Sequence, residues 1–292
     1  MNLARGDEAD GLAFGVTPPD PGAALTALVF ASPHSGRVYP ARLMAASRLD
    51  AQTIRRSEDA HVDALIAAAP AHGASVIAAR MARVWLDVNR EPWELDPAMF
   101  EDELPAYARA RTARVAAGLG AIARIVCEGE EIYRGKLTFA EAKSRVESVH
   151  QPYHDALAAL VTRTRRRLGA AVLIDWHSMP SAAIRQGTGA VGCDVVLGDR
   201  FGGACAPALS RLVEMSLQAL GYRVARNAPY AGGYTTEHYG RPARKVHALQ
   251  IEINRAIYMD EDSLAPNAGF ARLKTDLETL FRDLARVDWA EV

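Results

Sequence analysis

The chain has 292 residues, of which 49% are hydrophobic and 24% are charged, as expected for a water-soluble globular protein with a sizeable core. Its formal net charge of −1 at pH 7 gives no electrostatic reason to expect a nucleic acid or an anionic membrane as a partner. The cysteines, Cys127, Cys193 and Cys205, are odd in number and widely spaced, which argues against a disulfide framework and against a cysteine-built zinc site.

The N-terminal segment has no features of a targeting signal. It begins MNLARGDEAD, with acidic residues where a secretion signal requires a basic region and an apolar core. No apolar run in the chain reaches the ~18 residues needed to span a bilayer. We therefore predict a cytoplasmic protein with an irregular lead-in over residues 1–24 and a single domain over residues 25–292. The sequence carries no clear signal of the oligomeric state.

Two regions near the N-terminus predict strands and one predicts helix. Residues 24–32, ALTALVFAS, form a short apolar run followed by a turn signal, which is typical of a buried strand. Apolar residues then recur at mostly helical spacing over residues 41–70. Residues 74–90, ASVIAARMARVWLDVNR, predict two short strands, the second of which ends at a polar cluster.

The strongest helical pattern covers residues 137–169. Thr138, with Glu141 three residues later, forms a capping box that begins the helix, and Gly169 ends it. Pro152 removes one backbone N–H from the interior of this helix, so we expect it to kink or divide the helix.

The second half of the chain alternates strands with helices. The predicted strands cover residues 170–176, 193–199, 222–230 and 246–255, the predicted helices 204–220 and 264–286, and a long loop 231–242. This alternation favours an α/β fold in which a mixed, mainly parallel sheet is flanked by helices on both faces.

Polar clusters follow four of the predicted strands. They are SPHSG, DVNR, DWHS and EINR, which begin at residues 32, 87, 175 and 252. Ligands of open α/β sheets bind at the carboxyl ends of the strands. The four clusters therefore predict one site that is assembled from distant parts of the sequence.

Two histidines in these clusters, His34 and His177, have the features of metal ligands. Asp175 and His177 are alternate residues of an apolar strand and point to the same side, where Asp175 can accept the second N–H of the imidazole. Two such imidazoles and one oxygen ligand can hold a divalent cation and leave a position for water. For each histidine, ordinary hydrogen bonding at a strand end is the structural alternative.

The acidic segment RRSEDAHVD, residues 55–63, supplies candidates for the oxygen ligand. Asp59 is the first choice and Glu58 is the alternative, whereas Asp63 is further away. His61 is a further candidate in the same segment. The polar start of a helix explains these acidic residues without a metal.

Glu252 lies within the apolar strand LQIEIN, where a fully buried carboxylate without a partner is rare. A desolvated carboxylate beside a metal-activated water has the chemistry of a general base. A salt bridge to Arg255 or to another arginine is the structural alternative.

Asn89 and Arg90 indicate recognition of a small anionic substrate. An arginine binds a carboxylate through two parallel hydrogen bonds, and an asparagine adds a directed donor. Arg145, His150 and His154 are candidates for the same cavity, although a role on a helix surface fits them equally well.

The Gly- and Tyr-rich segment 227–240 is long enough to close over a ligand. Its adjacent glycines, Gly232 and Gly233, permit close approach to a ligand or a hinge movement. An irregular loop without such a role is the structural alternative.

Eight sequence blocks in one order resemble the N-formylglutamate amidohydrolase family over residues 25–260. The blocks are SPHSGRVYP, SEDAHVDAL, DVNR, RVESVHQPYHDAL, LIDWHSMPS, DVVLGDRFG, NAPYAGGYTTEHYG and LQIEINRAIYM. The resemblance implies the zinc exopeptidase-like fold that carboxypeptidases, succinylglutamate desuccinylase and aspartoacylase share. It also implies a zinc enzyme that splits N-formyl-L-glutamate into formate and glutamate in histidine degradation.

The resemblance implies a role for each matching cluster. His34 and His177 are similar in position to zinc ligands, and Glu252 to a catalytic glutamate. DVNR is similar to the segment with which the aspartoacylase relatives hold a substrate carboxylate. The resemblance points to Asn89 and Arg90, and together with the residue types discussed above it leads us to expect substrate contacts at Asn89, Arg90, Arg145, Gly233, Tyr234 and Arg255.

Arg37 departs from the wider pattern, because the relatives have a glutamate ligand three residues after the first histidine. An arginine cannot ligate zinc, so the oxygen ligand must come from elsewhere. Asp59 is favoured, and Glu58 remains open.

Two alternative functions remain open at this point. The same machinery with a different acyl pocket would hydrolyse another N-acyl amino acid, such as an N-succinyl or N-acetyl compound. A non-catalytic protein would capture an anionic metabolite, although retention of His34, His177 and Glu252 argues against it. Another divalent metal could replace zinc, because a set of histidine and carboxylate ligands does not select zinc uniquely.

Overall fold

The computed structural model describes residues 13–126, 129–185 and 192–292. Within these residues, the strands form a seven-stranded sheet in the order β1-β3-β2-β4-β7-β5-β6. The strands are β1 (Phe14–Thr17), β2 (Leu28–Ser32), β3 (Ser75–Ala79), β4 (Ala171–Met179), β5 (Val195–Gly198), β6 (Val224–Arg226) and β7 (Val246–Asn254).

The centre of the sheet is parallel. β4 pairs in parallel with β2 on one side and with β7 on the other, and β2 also pairs in parallel with β3. β5 is antiparallel to β7, and β6 is parallel to β5. The sheet is therefore mixed and mainly parallel, which confirms the predicted fold class.

Helices flank the sheet. The α-helices are α1 (Ala41–Ala46), α2 (Val62–Leu65), α3 (Ala113–Ala116), α4 (Phe139–Arg145), α5 (Gln151–Leu168), α6 (Ser181–Arg185), α7 (Pro207–Ala219), α8 (Tyr234–Tyr239) and α9 (Gly269–Ala285). Short 3₁₀-helices cover Thr53–Ser57, Ala69–His72, Pro97–Met99, Pro242–Arg244 and Arg255–Ile257.

The residues cluster into two compact units whose segments alternate along the chain. Of the described residues, one unit comprises 13–15, Pro33–Glu58 and Ala79–Ala156, and the other comprises Val16–Ser32, Asp59–Ala78 and Leu157–Val292. Strands β2, β4, β5, β6 and β7 belong to the second unit. The assignment of residues 25–292 to a single domain stays a prediction.

The core of the second unit lies on one face of the sheet. Phe30 of β2, Trp176 of β4 and Phe281 of α9 pack edge to face, with ring centroids 5.0–5.7 Å apart. Because side chains alternate along a strand, Trp176 points to the face opposite to its neighbours Asp175 and His177. Burial of this aromatic cluster fixes the direction in which the polar residues of β4 project.

The long helical region changes its hydrogen bonding between α4 and α5. The Thr138 hydroxyl accepts a hydrogen bond from the backbone N–H of Glu141, so the predicted cap is confirmed. Residues Val146–His150 then form a π-helical turn, which the N–H of Gln151 closes by donating to the Val146 carbonyl. Pro152 has no N–H to donate to the preceding turn, and this accounts for the interruption that we expected there.

The second strand predicted within residues 74–90 is absent, and this prediction was wrong. After β3 the chain forms turns, in which the N–H of Trp85 donates to the Ala82 carbonyl over 2.9 Å. Val84, Trp85 and Leu86 are buried in these turns. A short apolar run indicates burial but does not distinguish a strand from a buried turn.

Other predicted elements differ in extent. Residues 14–17 of the expected irregular lead-in form β1, and the expected loop at 231–242 contains the helix α8. The strand expected over 222–230 is limited to β6. The helical pattern of residues 41–70 is divided among short helices.

Among the described residues, no helix combines the length and the apolar character needed to cross a membrane. Cys193 and Cys205 are buried and not bonded to each other as a disulfide. Cys127 lies outside the described residues.

Candidate active site

β4 carries His177 at its carboxyl end, with a carboxylate at each ring nitrogen. Nδ1 lies 3.0 Å from Oδ2 of Asp59, and Nε2 lies 3.0 Å from Oδ2 of Asp175. All three side chains are buried. The predicted contact between Asp175 and His177 is therefore present, and it fixes the orientation of the imidazole.

The surroundings of His177 favour a positive charge on its ring. Burial by itself would lower the pKa of His177, but the carboxylates of Asp175, Asp59 and Glu252 outweigh this effect and hold the pKa well above its usual value. A divalent cation would be stabilised by the same carboxylates, and it would compete with the proton for the imidazole.

Glu252 lies beside His177 on the neighbouring strand. The two residues are directly paired in the parallel register of β4 and β7, and Asp175 is paired in the same way with Gln250. Residues two apart on a strand share a face, so these four side chains project from the same side of the sheet. The Gln250 amide donates to Oε1 of Glu252 over 2.8 Å.

Arg255 holds the second oxygen of Asp59. Its guanidinium donates to Oδ1 of Asp59 over 3.0 Å and to the Ser178 hydroxyl over 3.2 Å, and it is buried. Asp59 thus contacts His177 through one oxygen and Arg255 through the other. These contacts favour a role for Arg255 in orienting Asp59 rather than the predicted contact with substrate.

Glu58 has different partners from those of Asp59. One of its oxygens accepts from the Tyr39 hydroxyl over 2.7 Å, and the Arg55 guanidinium donates to both oxygens over 2.8 and 3.1 Å. Burial and the neighbouring Glu58 raise the pKa of Tyr39, so its hydroxyl remains a donor. Glu58 thus contacts only Tyr39 and Arg55 in these bonds, whereas one oxygen of Asp59 lies at His177, which favours Asp59 as the oxygen ligand.

Changing Glu58 to Gln should leave the metal content unchanged and lower the free energy of unfolding by about 1–3 kcal/mol, because a buried charged hydrogen bond to Arg55 is lost. The matched Asp59→Asn variant should instead lose metal. Metal analysis per chain and urea unfolding of both variants test this. Loss of metal from Glu58→Gln with retention in Asp59→Asn would make Glu58 the ligand.

His34 has an acidic partner of its own. Its Nε2 lies 2.7 Å from Oδ1 of Asp87, and Oδ2 of Asp87 accepts from Arg83 over 2.7 Å. Burial would raise the pKa of Asp87, but Arg83, His34 and Arg90 hold it well below its usual range. The ionised carboxylate orients the His34 ring in the way that metal-bound histidines require.

His34, Asp59 and His177 are the residues predicted to hold a metal, and Asp59 contacts His177 directly. All three residues are buried. Two imidazoles and one carboxylate are a donor set that divalent transition metals prefer. These side chains therefore form a candidate metal-binding set.

The segment DVNR follows a turn rather than a strand, and its donors are partly engaged. The N–H of Asn89 donates to Oδ1 of Asp87 over 2.8 Å. The Arg90 guanidinium donates to the carbonyl oxygens of Leu119 and Asn89 over 3.0 and 3.3 Å. Both side chains are largely buried, so any anion that they bind would be held away from bulk water.

Arg145 is enclosed by protein groups. Its guanidinium donates to the Trp85 carbonyl over 3.1 Å and to the Tyr133 hydroxyl over 2.8 Å, and it is paired with Glu141. It also lies 3.6 Å from the centroid of the Trp85 ring. With 1% of its surface exposed, Arg145 is enclosed by these partners, and its predicted contact with the substrate stays a prediction.

Gln250 connects the predicted closing segment with Glu252. Its Oε1 accepts from the N–H of Gly233 over 2.6 Å, while its amide N–H donates to Glu252. Tyr234 begins α8 and stacks on His238, with ring centroids 5.0 Å apart. Gly233 is therefore fixed near the carboxylate, and Tyr234 is part of a short helix.

Gln250 and Asp87 contact the candidate site residues but are not among the residues predicted from the sequence. Gln250 precedes Glu252 by two residues, so the alternation of strand LQIEIN signals that the two share a face. Asp87 opens the polar cluster DVNR, but its partner His34 is distant in sequence. No local pattern could have identified that pair.

A comparison with protein-family models gives a match over residues 26–259 to a family described as N-formylglutamate amidohydrolase. The chain belongs to this family. The resemblance deduced from the sequence blocks is thereby confirmed.

Two curated relatives are named N-formylglutamate deformylase. An N-formylglutamate deformylase of Pseudomonas aeruginosa is 33% identical over 261 residues, which cover 88% of this chain and 90% of the relative. An N-formylglutamate deformylase of Pseudomonas putida is 34% identical over 206 residues, or 70% of this chain and 71% of the relative. The similarity to the Pseudomonas aeruginosa relative therefore extends over most of both chains.

Solved structures agree with the family assignment. A crystal structure of an N-formylglutamate amidohydrolase from Ralstonia eutropha JMP134 has a TM-score of 0.88 and 38% identity, covering 94% of this chain and 97% of that chain. A gene product from Agrobacterium tumefaciens, Atu2144, has a TM-score of 0.66 and 18% identity, covering 95% of this chain and 96% of that chain. At this lower identity the similarity concerns the fold alone. The wider relation to zinc exopeptidases stays a prediction.

Proposed function

We propose that the protein hydrolyses the N-formyl amide of N-formyl-L-glutamate to give formate and L-glutamate. The observation that carries this proposal is the match to N-formylglutamate deformylases across most of the chain. The contact of Asp175 with His177 and the position of Glu252 beside it support a hydrolytic site.

We further propose that His34, Asp59 and His177 hold a divalent cation, for which zinc is our first choice. The donor set fits such an ion, because each imidazole has a carboxylate at its Nε2, from Asp87 or Asp175. Carboxylates outnumber cationic groups around His177, and this excess of negative charge also favours a bound cation. A cation bound there would polarise the formyl carbonyl and acidify a water molecule.

Glu252 is the general base and acid of the proposed reaction. Its carboxylate accepts the proton of the water that attacks the formyl carbon and then delivers this proton to the departing nitrogen of glutamate. The hydrogen bond from Gln250 orients the carboxylate for both steps. Because Glu252 is buried, bulk water does not compete for the proton.

Substrate recognition is assigned to Asn89 and Arg90, with Gly233 and Tyr234 as further contacts. An arginine and an asparagine together supply directed donors for a carboxylate of the substrate. Arg145 is left out of this set because both terminal nitrogens of its guanidinium contact groups within the protein. Arg255 is assigned to the orientation of Asp59 instead.

A steady-state assay of formate release tests the proposed function. N-formyl-L-glutamate should be the preferred substrate, and N-acetyl- and N-succinyl-L-glutamate should be hydrolysed more slowly. Preference for either of these would favour an amidohydrolase for another N-acyl amino acid. Binding of glutamate without hydrolysis of any of the three would favour a binding protein for an anionic metabolite.

A role in histidine degradation and a cytoplasmic location belong to the same proposal. They follow from the proposed substrate and from the sequence, respectively. Among the residues that the structure describes, no feature assigns an oligomeric state.

A further inference from the structure

Two histidines of the long helical region contact the segment that contains Asn89 and Arg90. Nε2 of His150 lies 2.9 Å from the Arg90 carbonyl oxygen, and Nε2 of His154 lies 2.7 Å from the Val88 carbonyl oxygen. A carbonyl oxygen only accepts, so each imidazole must carry its proton on Nε2 and donate it. We call His150 and His154 the histidine pair.

The helix presents both histidines to the same side. They are four residues apart, and residues at this spacing lie on one helix face. Their rings are 4.3 Å apart between centroids and tilted by 35°. His150 is the last residue of the π-helical turn, and His154 lies in the first turns of α5. Single π-helical turns of this kind are frequent at functional sites.

The segment that receives these bonds has no strand to hold it. Residues 87–90 follow a turn, so a sheet ladder does not satisfy their carbonyl groups. Buried carbonyl groups require donors, and the histidine pair supplies them on the peptide before Asn89 and on the peptide after Arg90. The backbone of both residues is thus fixed at two points.

The same segment also orients His34. The N–H of Asn89 donates to the Asp87 carboxylate, which in turn contacts Nε2 of His34. Movement of the segment would therefore affect the predicted anion-binding residues and the partner of a predicted metal ligand together.

We infer that the histidine pair consists of positioning residues for substrate recognition, which hold Asn89 and Arg90 in the conformation that binds the carboxylate of the substrate. This inference rests on the proposed function, since it concerns the residues assigned to that carboxylate. The pair acts through the segment and does not touch the reacting atoms.

The test compares two replacements of His154. His154→Phe removes the donor and keeps a ring, whereas His154→Gln keeps an N–H in a similar position. His154→Phe should raise KM for N-formyl-L-glutamate about tenfold, as expected for loss of a directed hydrogen bond, with kcat within about twofold and unchanged metal content. His154→Gln should stay close to the unmodified protein, and His72→Phe is the matched control.

A double-mutant cycle with Arg90→Met separates positioning from general stabilisation. In the Arg90→Met background, His154→Phe should raise KM by clearly less than the tenfold expected in the unmodified protein, because one of the two residues through which it acts is absent. An undiminished effect in that background, or a failure of Gln to restore KM, would overturn the inference. His150→Phe, which removes the bond to the Arg90 carbonyl, provides the same test if His154→Phe does not fold.

Calorimetric measurement of L-glutamate binding distinguishes a failure of this inference from a failure of the proposed function. If the unmodified protein binds glutamate but releases no formate, the proposed function fails. The double-mutant cycle is then measured from the dissociation constants of glutamate instead of from KM. Non-additive effects of His154→Phe and Arg90→Met on binding would still support positioning. If the unmodified protein neither releases formate nor binds glutamate, both proposals fail.

Discussion

Replacing Glu252 with Gln should lower kcat for N-formyl-L-glutamate by about 10²- to 10⁴-fold, the range typical of a lost general acid–base group. The amide has nearly the same shape and can still accept the hydrogen bond from Gln250, which spans 2.8 Å in the protein. It cannot, however, accept a proton from water at neutral pH. The metal content per chain should remain that of the unmodified protein, because Glu252 is not among the proposed ligands.

Glu278→Gln, in helix α9, is the matched control for this change and should keep full activity. Metal analysis alongside the kinetics distinguishes the assigned role from a structural one. An active Glu252→Gln protein would rule out the general base. Loss of metal from that variant would instead make Glu252 a ligand.

Replacement of either His34 or His177 by Ala should remove the metal and the activity together. Loss of a residue that merely orients a ligand already lowers metal affinity by about 10- to 100-fold, so loss of a ligand should exceed this range. His177→Ala also leaves Asp59 and Asp175 without their imidazole partner, which adds a cost in stability. Metal analysis, formate release and thermal unfolding measure the three effects.

His72→Ala is the control for both histidine variants and should retain metal and activity. If His34→Ala loses activity but keeps its metal, His34 acts on the substrate or on the fold rather than on the cation. If both variants keep metal and turnover, the proposed set of ligands is wrong.

The central strands could be predicted because their residues are buried on both sides. Residues 171–179 form β4, which contains the apolar run of the predicted strand. Because Asp175 and His177 are alternate residues of this strand, their side chains point to the same face. The capping residue Thr138 and the interruption at Pro152 were also predictable, since each depends on a local backbone rule.

The region around Asp87 shows where local patterns fail. Val84, Trp85 and Leu86 are as buried as strand residues, but their backbone forms turns that depend on contacts with distant residues. The contact of Asp87 with His34 and the hydrogen bonds of His150 and His154 likewise join residues more than 50 positions apart. Such contacts follow from tertiary packing and have no signature in the neighbouring sequence.

The roles proposed for three arginines differ for the same reason. Arg90, Arg145 and Arg255 are equally suitable for binding a carboxylate when only residue type is considered. In the structure, Arg145 lies against Trp85 and Arg255 contacts Asp59, which leaves Arg90 as the arginine assigned to the substrate. The partners of each guanidinium decide its role, and these partners are not evident from the sequence.

The most direct test of the account is formate release from N-formyl-L-glutamate before and after removal of bound metal. The protein as purified should release formate and L-glutamate in equal amounts, and treatment with a chelator should abolish this activity. Addition of about one equivalent of zinc per chain should restore it. Full activity in a protein shown by metal analysis to contain no divalent cation would contradict the account.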